Sequence, residues 1–91
     1  MLRIEIGDYA SKFLRRLQKK QAGQIGRKIR ALAENPYPSD SKQLKGSIWR
    51  GTNIGEYRVI YGVQGESLII PLIGKRNDDE VYHRLKRLEG S

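Results

Sequence analysis

The run from Glu56 to Ile73 constrains the fold of this chain more than any other. Tyr57, Val59, Tyr61 and Val63 alternate with Glu56, Arg58, Ile60 and Gly62, the period of a strand with one buried face. Gln64-Gly65-Glu66 supplies a hairpin turn. Leu68 to Ile73 is apolar on both faces, which marks a central strand. Pro71 conflicts with that place, because proline cannot donate to a ladder. A β-bulge, or an edge facing at that residue, removes the conflict.

Around this hairpin the remaining elements fall into order. Leu2, Ile4 and Ile6 alternate with Arg3 and Glu5 as a first strand, broken at Gly7-Asp8, with Asp8 the expected helix N-cap. Ala10, Phe13, Leu14 and Leu17 have helical spacing. Gln21 to Gly23 reads as a turn, and Ile25, Ile29, Leu32 and Ala33 as a second helix stopped by Asn35-Pro36. Helices joined so closely form an antiparallel hairpin. Asn35 to Ser41 reads as loop, Ser47 to Asn53 as a strand around Ile48 and Trp49, and Asp79 to Leu88 as a last helix. Glu89-Gly90-Ser91 reads as a frayed end. The order β-α-α-β-β-β-α predicts an α+β fold, a helical hairpin packed on a mainly antiparallel four-stranded sheet. Tyr57, Val59, Tyr61 and Val63 should face the hairpin, and Arg58 the other side.

Composition narrows the chemistry. With 91 residues, the chain is one domain over 1–91. It has no cysteine, which excludes disulfides, thiolate metal sites and cysteine nucleophiles. His83 is the only histidine, so a histidine-built metal site is excluded without a second molecule. No metal and no cofactor is expected. No apolar run suggests a membrane span and no signal peptide opens the chain, so a cytoplasmic protein without a membrane partner is expected. Eighteen Lys and Arg against ten Asp and Glu give a net charge of +8 and a pI of about 10.1. A polyanion is the expected partner, either nucleic acid or an acidic protein segment.

The cations are not spread evenly. Lys12, Arg15, Arg16, Lys19, Lys20, Arg27, Lys28 and Arg30 occupy an acid-free stretch from Tyr9 to Ala33. Such a face is either solvated or a footprint for phosphates. Arg58 leaves the polar face of the third strand, while Lys75, Arg76 and Asn77 follow Gly74 at the end of its neighbour. Neighbouring strands lie about 4.8 Å apart, so these cations can converge beside a last helix that presents Tyr82. Arginine's planar fork suits a phosphate; the alternative is pairing with Glu56, Asp78, Asp79 and Glu80. Asp78 to Glu80 either orient Arg76 or cap the last helix. Trp49 either stacks on a base or packs on the sheet. His83 neighbours Tyr82, but consecutive helical residues point about 100° apart, so it is read as an exposed bystander.

At these residues the chain resembles a family. Gly55 to Tyr61 (GEYRVIY), Ile73 to Asn77 (IGKRN), Val81-Tyr82, the helical hairpin before Asn35-Pro36, and Gln43-Leu44-Lys45-Gly46 (QLKG) look like the RelE/ParE superfamily of type II toxins. The resemblance covers nearly the whole chain, in order. It implies one of two activities: ribosome-dependent mRNA endonuclease in the RelE branch, or DNA gyrase poison without nuclease chemistry in the ParE branch. By resemblance, Arg58 matches the arginine that stabilises charge on the scissile phosphate. Arg76 matches a general acid or phosphate ligand, and Tyr82 the proposed general base. The presence of all three favours the RelE branch. The implied partners are a cognate antitoxin, the ribosome with its rRNA, and mRNA, with DNA reached only through the antitoxin complex.

RNA carries its own nucleophile, the 2′-hydroxyl, so cleavage needs neither metal nor covalent intermediate. Tyrosine ordinarily titrates near 10; Arg58, Arg76 and Lys75 nearby would favour its phenolate. The family usually carries two basic residues on the second strand. Counted back from Arg58, those places hold Trp49 and Gly51, with Arg50 between them on the wrong face unless a bulge at Gly51 shifts it. Lys42 and Lys45 are the expected substitutes. Lys42, Lys45, Arg50, Lys75, Arg15, Lys19 and Arg27 are therefore the expected RNA contacts. A plain RNA-binding module on the same fold is a third reading.

Overall fold

In the computed structural model, which describes residues 1–89, β1 (Arg3–Ile6) passes through Gly7 straight into α1 (Asp8–Arg16). Gly7, not Asp8, is the extended N-cap residue. Asp8 is instead the first helical residue, with its carboxylate at the positive end of the helix dipole. α2 (Lys19–Glu34) follows after only Leu17 and Gln18, both with extended backbone. The break between the helices thus precedes the turn expected over Gln21 to Gly23. Gly23 and Gly26 lie inside α2, where each costs about 1 kcal/mol relative to alanine. Burial of Ile25, Ile29, Leu32 and Ala33 along one stripe outweighs that cost.

Four strands come next: β2 (Ser41–Gln43), β3 (Arg50–Ile54), β4 (Tyr57–Gln64) and β5 (Ser67–Lys75), before α3 (Glu80–Leu88). They join β1 in one sheet ordered β1-β5-β4-β3-β2, with β1 parallel to β5 and the other neighbours antiparallel. The class is the expected α+β, but the sheet has five strands, not four. The added strand, β2, is three residues long and mostly polar, too short to express a period. β3 begins at Arg50 because Ser47 to Trp49 form a turn. There Ser47 N–H donates to Leu44 O at 3.1 Å, and Trp49 N–H to Ser47 Oγ at 3.0 Å.

Pro71 sits in a bulge. The β4–β5 register passes from Ile60 opposite Leu72 to Gly62 opposite Ile69, so Tyr61 faces both Ile70 and Pro71. On the other flank, pairing with β1 stops at Ile6 opposite Ile70, and Gly7 N–H closes it by donating to Ile70 O at 2.9 Å. No donor is required of Pro71 from either side. The extra residue also reverses the alternation. Leu68 and Ile70 face the helical hairpin; beyond the bulge Ile73 does so, while Leu72 faces away.

The two faces of the sheet carry separate cores. Val59, Tyr61, Leu68, Ile70 and Ile73 pack with Ala10, Ile25, Ile29 and Leu32 of the hairpin, with Tyr57 and Val63 at the margin. Across the sheet, Ile60 and Leu72 pack under Val81 and Leu85 of α3, with Trp49, Leu44 and Tyr9 alongside. Burying an aliphatic side chain of this size contributes about 1.5–3 kcal/mol, so these four residues suffice to hold a two-turn helix on the sheet. Glu89 N–H still donates to Leu85 O. Gly90 and Ser91, the rest of the expected frayed end, lie outside the described residues. Among the described residues, no helix is long and apolar enough to cross a membrane.

Candidate phosphate site between the sheet and the last helix

The site begins with a glycine. A Cβ on Gly74 would stand 2.1 Å from Val81 Cγ2, so only glycine lets the first turn of α3 settle on β5 there. Gly74 is the ladder partner of Arg58. Residues paired across an antiparallel ladder share a face, so Arg58 rises beside the place where Val81 lands. The next helical residue, Tyr82, then meets Arg58: the guanidinium carbon is 5.3 Å from the ring centroid. Arg58 is half-buried, and its Nε donates to Asn53 Oδ1 at 2.9 Å. Asn53 is its ladder partner on the other side, in β3. Held at Nε and backed by an aromatic ring, the guanidinium keeps its terminal nitrogens for a ligand.

A shallow cleft adjoins this pair, lined by Asp40, Lys42, Leu44, Gly51, Thr52, Asn53 and Arg58. Lys42 is the ladder partner of Gly51, and Gly51 in turn of Ile60, whose side chain faces α3. Lys42 therefore stands on the same face as Arg58, two strands away, with no side chain between them at Gly51. Asp40 is tied to α2 through Lys28, with Nζ to Oδ2 at 2.5 Å. That hydrogen bond holds the Asp40 carboxyl below its ordinary value.

The other expected site residues divide. Arg76 N–H donates to Glu56 O at 2.8 Å, which extends the β4–β5 ladder past Lys75. Arg76 itself lies in the turn that follows β5, where strand alternation no longer sets the direction of its side chain. Lys75 pairs with Tyr57, which packs toward the hairpin, so it belongs to the opposite face and does not join Arg58. Arg50 pairs with Tyr61 in an unbroken β3–β4 register; no bulge at Gly51 turns it. It is bound instead on the hairpin side, Nη2 to Ser41 Oγ at 2.8 Å and its guanidinium carbon 5.1 Å from the Tyr37 ring centroid. Lys45 lines a separate groove with Ile48, Trp49 and Leu88. Arg15, Lys19 and Arg27 are exposed on the helical layer, Arg15 bonded to Ser11 Oγ at 2.8 Å.

Of the open alternatives, Trp49 packs on the sheet, its ring directly over Gly62. Asp78 stands just before Asp79, the N-cap residue of α3, and its Oδ1 accepts from the first helical amide, Glu80 N–H, at 3.0 Å. His83 is exposed. Sequence reasoning missed Asn53. The signal was present, because a two-residue turn at Gly55-Glu56 makes Asn53 the partner of Arg58. Among the described residues, no group of three or more His, Asp or Glu side chains could hold a metal ion.

Comparison with known proteins gives a family and a fold. The sequence profile of the family described as ParE toxin of type II toxin-antitoxin system, parDE, matches residues 4–80. No curated protein sequence matches. Among solved structures, the chain is similar to the isolated Escherichia coli RelE toxin, with a TM-score of 0.74 at 22% identity over 97% of this chain and 99% of that one. A mutant of E. coli RelE in the free state gives 0.81 at 22% identity, over 96% and 97%. The toxin–antitoxin RelB–RelE structure from Methanococcus jannaschii gives 0.67 at 18% identity, over 88% and 96%. At such identity the likeness is one of fold.

Proposed function

This chain belongs to the ParE toxin family of type II toxin–antitoxin systems, and from that premise we propose that it is a ribosome-dependent mRNA endoribonuclease held in check by a cognate antitoxin. The observation that carries the reading is the Arg58 guanidinium, oriented by Asn53 and lying against the Tyr82 ring at the edge of a cleft that Lys42 also lines.

In this reading the substrate supplies the nucleophile. Tyr82 takes the 2′-hydroxyl proton, and the 2′-oxygen attacks phosphorus. The bond to the 5′-oxygen breaks, and that oxygen takes a proton from water or from the Arg76 guanidinium. The products are a 2′,3′-cyclic phosphate, or the 3′-phosphate from its hydrolysis, and a 5′-hydroxyl. Arg58 stabilises the charge that develops on the phosphorane. Arg76, in the turn after β5, serves the leaving side, and Lys42 takes the role of an auxiliary cation. Arginine is a weak acid and tyrosine a weak base at neutral pH, so the intrinsic chemistry is slow. The ribosome contributes by holding mRNA in line for attack. The exposed helical cations, Arg15, Lys19 and Arg27 among them, contact rRNA phosphates.

The experiment is purified protein added to translating ribosomes, with mRNA ends mapped. A-site cuts with 2′,3′-cyclic or 3′-phosphate ends support the reading. A second reading, gyrase poisoning without nuclease activity, is favoured by the ParE description of the matching family and by one structural observation: β3 offers no cation to the cleft, since Gly51 has no side chain and Arg50 is turned away. Inhibition of DNA supercoiling without mRNA cleavage would establish that reading instead.

A further inference from the structure

A second cationic cleft lies between α1 and α3, on the flank of α3 away from Arg58. It is lined by Tyr9, Lys12, Phe13, Arg16 and Arg84. On α1, Tyr9 and Phe13 are one turn apart, as are Lys12 and Arg16, so aromatic and cationic rows run side by side. From α3, Arg84 reaches across: its guanidinium carbon is 4.3 Å from the Tyr9 ring centroid, and Nε donates to Glu80 Oε1 at 3.2 Å. Yet the Arg84 side chain retains 40% of its exposure. It is therefore held in place while still accessible, so little side-chain freedom remains to be lost on binding. Lys12 and Arg16 are exposed, and neither has an ion-pair partner among the described residues. Glu80 is engaged with Arg84, and Asp8 lies in a neighbouring depression beyond the Tyr9–Arg84 stack. The cleft keeps an excess of positive charge.

We infer that this cleft binds an unpaired RNA nucleotide, its base stacked on the outer face of Arg84 and its phosphates held by Lys12 and Arg16. A guanidinium fixed against an aromatic ring offers a flat cationic face on which a nucleobase can stack, whereas an aliphatic acidic side chain can only pair with its edge. The adjacent pair of exposed cations supplies the charge that backbone phosphates require. The site is separate from the Arg58 cleft. Tyr82 and Arg84 are two residues apart on α3, about 200° around the helix, so they serve opposite flanks. Binding here does not depend on the proposed cleavage.

The test uses the full chain, labelled with nitrogen-15, and a single-stranded 2′-O-methyl oligonucleotide that cannot be cleaved. The expected result is displacement of the amide signals of residues 9–16 and of the Arg84 Nε–H signal. Lys12→Gln with Arg16→Gln should weaken binding roughly tenfold or more and reduce the slope of log affinity against log salt by about 1.4, from about 0.7 per lost cation on a single strand. Arg84→Lys keeps the charge and removes the platform; it should weaken binding with little change in slope. In Arg58→Ala, whose cleavage assay tests the proposed function, the displacements at α1 and α3 should persist. Displacements confined to the Arg58 cleft would overturn the inference, as would unchanged affinity in the double glutamine variant. An oligoglutamate peptide that matches the oligonucleotide in affinity and in displaced signals would also overturn it, reassigning the cleft to acidic protein.

Discussion

The guanidinium carbon of Arg58 lies 5.3 Å from the centroid of the Tyr82 ring. One comes from a strand and the other from the last helix. They meet because Gly74, the ladder partner of Arg58, gives Val81 room to settle on the sheet. A guanidinium and a phenol are thereby set side by side on one face of the sheet.

Arg58→Ala should slow mRNA cleavage on ribosomes by about 10²–10³-fold, the usual loss for one preorganised donor. Tyr82→Phe should cost about 10²–10⁴-fold, the range for a general acid or base. Arg58→Lys should not restore the rate, because lysine has neither the fork nor an Nε–H for Asn53. Quantified mRNA ends from purified translation reactions measure all three. Wild-type rates in Arg58→Lys would remove the fork from the mechanism.

Asn53 touches Arg58 and orients it. Asn53→Ala should reduce the maximal rate roughly tenfold, in keeping with loss of a hydrogen bond to a charged group, while leaving thermal stability nearly unchanged at this exposed position. Asn53→Asp should be slower still, because a carboxylate pairs with the guanidinium and cancels its charge. If the aspartate variant outruns the alanine variant, Asn53 does not act through Arg58.

Gly74→Ala introduces a methyl 2.1 Å from Val81 Cγ2. Overpacking of this kind costs about 1–3 kcal/mol, and here it displaces α3 and Tyr82 with it. Both the melting temperature and the cleavage rate should fall, although Gly74 meets no substrate. Adding Val81→Ala removes the obstructing methyl and should restore part of both. A double variant no better than Gly74→Ala would show that the two residues are not coupled.

The Lys28–Asp40 pair joins α2 to the segment before β2, and the Asp40 carbonyl also accepts from Thr52 Oγ1 at 3.1 Å. The Lys28 hydrogen bond lowers the folded pKa of Asp40 from its ordinary 3.8. Its contribution is therefore complete above the unfolded value and fades as pH falls through the lower, folded one. Asp40→Asn should be slightly less stable than wild type near neutral pH, as suits a surface pair. The gap should begin to narrow below about pH 4 and close once the pH has fallen past the lowered folded value. Denaturant midpoints at both pH values check this; a gap that widens in acid contradicts it.

Local pattern carried much of the fold. The alternation over Tyr57 to Val63 set which residues line the hairpin core and left Arg58 on the other face. The conflict at Pro71 marked a real bulge. The elements that escaped were those whose local signal was weak or misleading. β2 is three residues long and finds its place only by pairing with β3. Gly23 looks like a turn residue, yet it is carried within α2 by the buried stripe that follows. Arg50 and Lys75 have the right charge and the right neighbourhood, and pairing with Tyr61 and Tyr57 turns both to the far side of the sheet.

By itself, the amino-acid sequence determined the α+β class, the central hairpin, the absence of thiol and multi-histidine chemistry, and the supply of cations. Tertiary structure alone decided which cations share a surface. Side-chain alternation is a property of a few consecutive residues, so it reports a face only relative to its own strand. Which face of one strand joins which face of the next depends on register, and register depends on bulges and turns. Whether a helix brings its tyrosine to that face depends on a close approach such as Gly74 to Val81. Lys42, Arg58 and Tyr82 come from three separated segments, and only the closure of the sheet and the docking of α3 place them on one side.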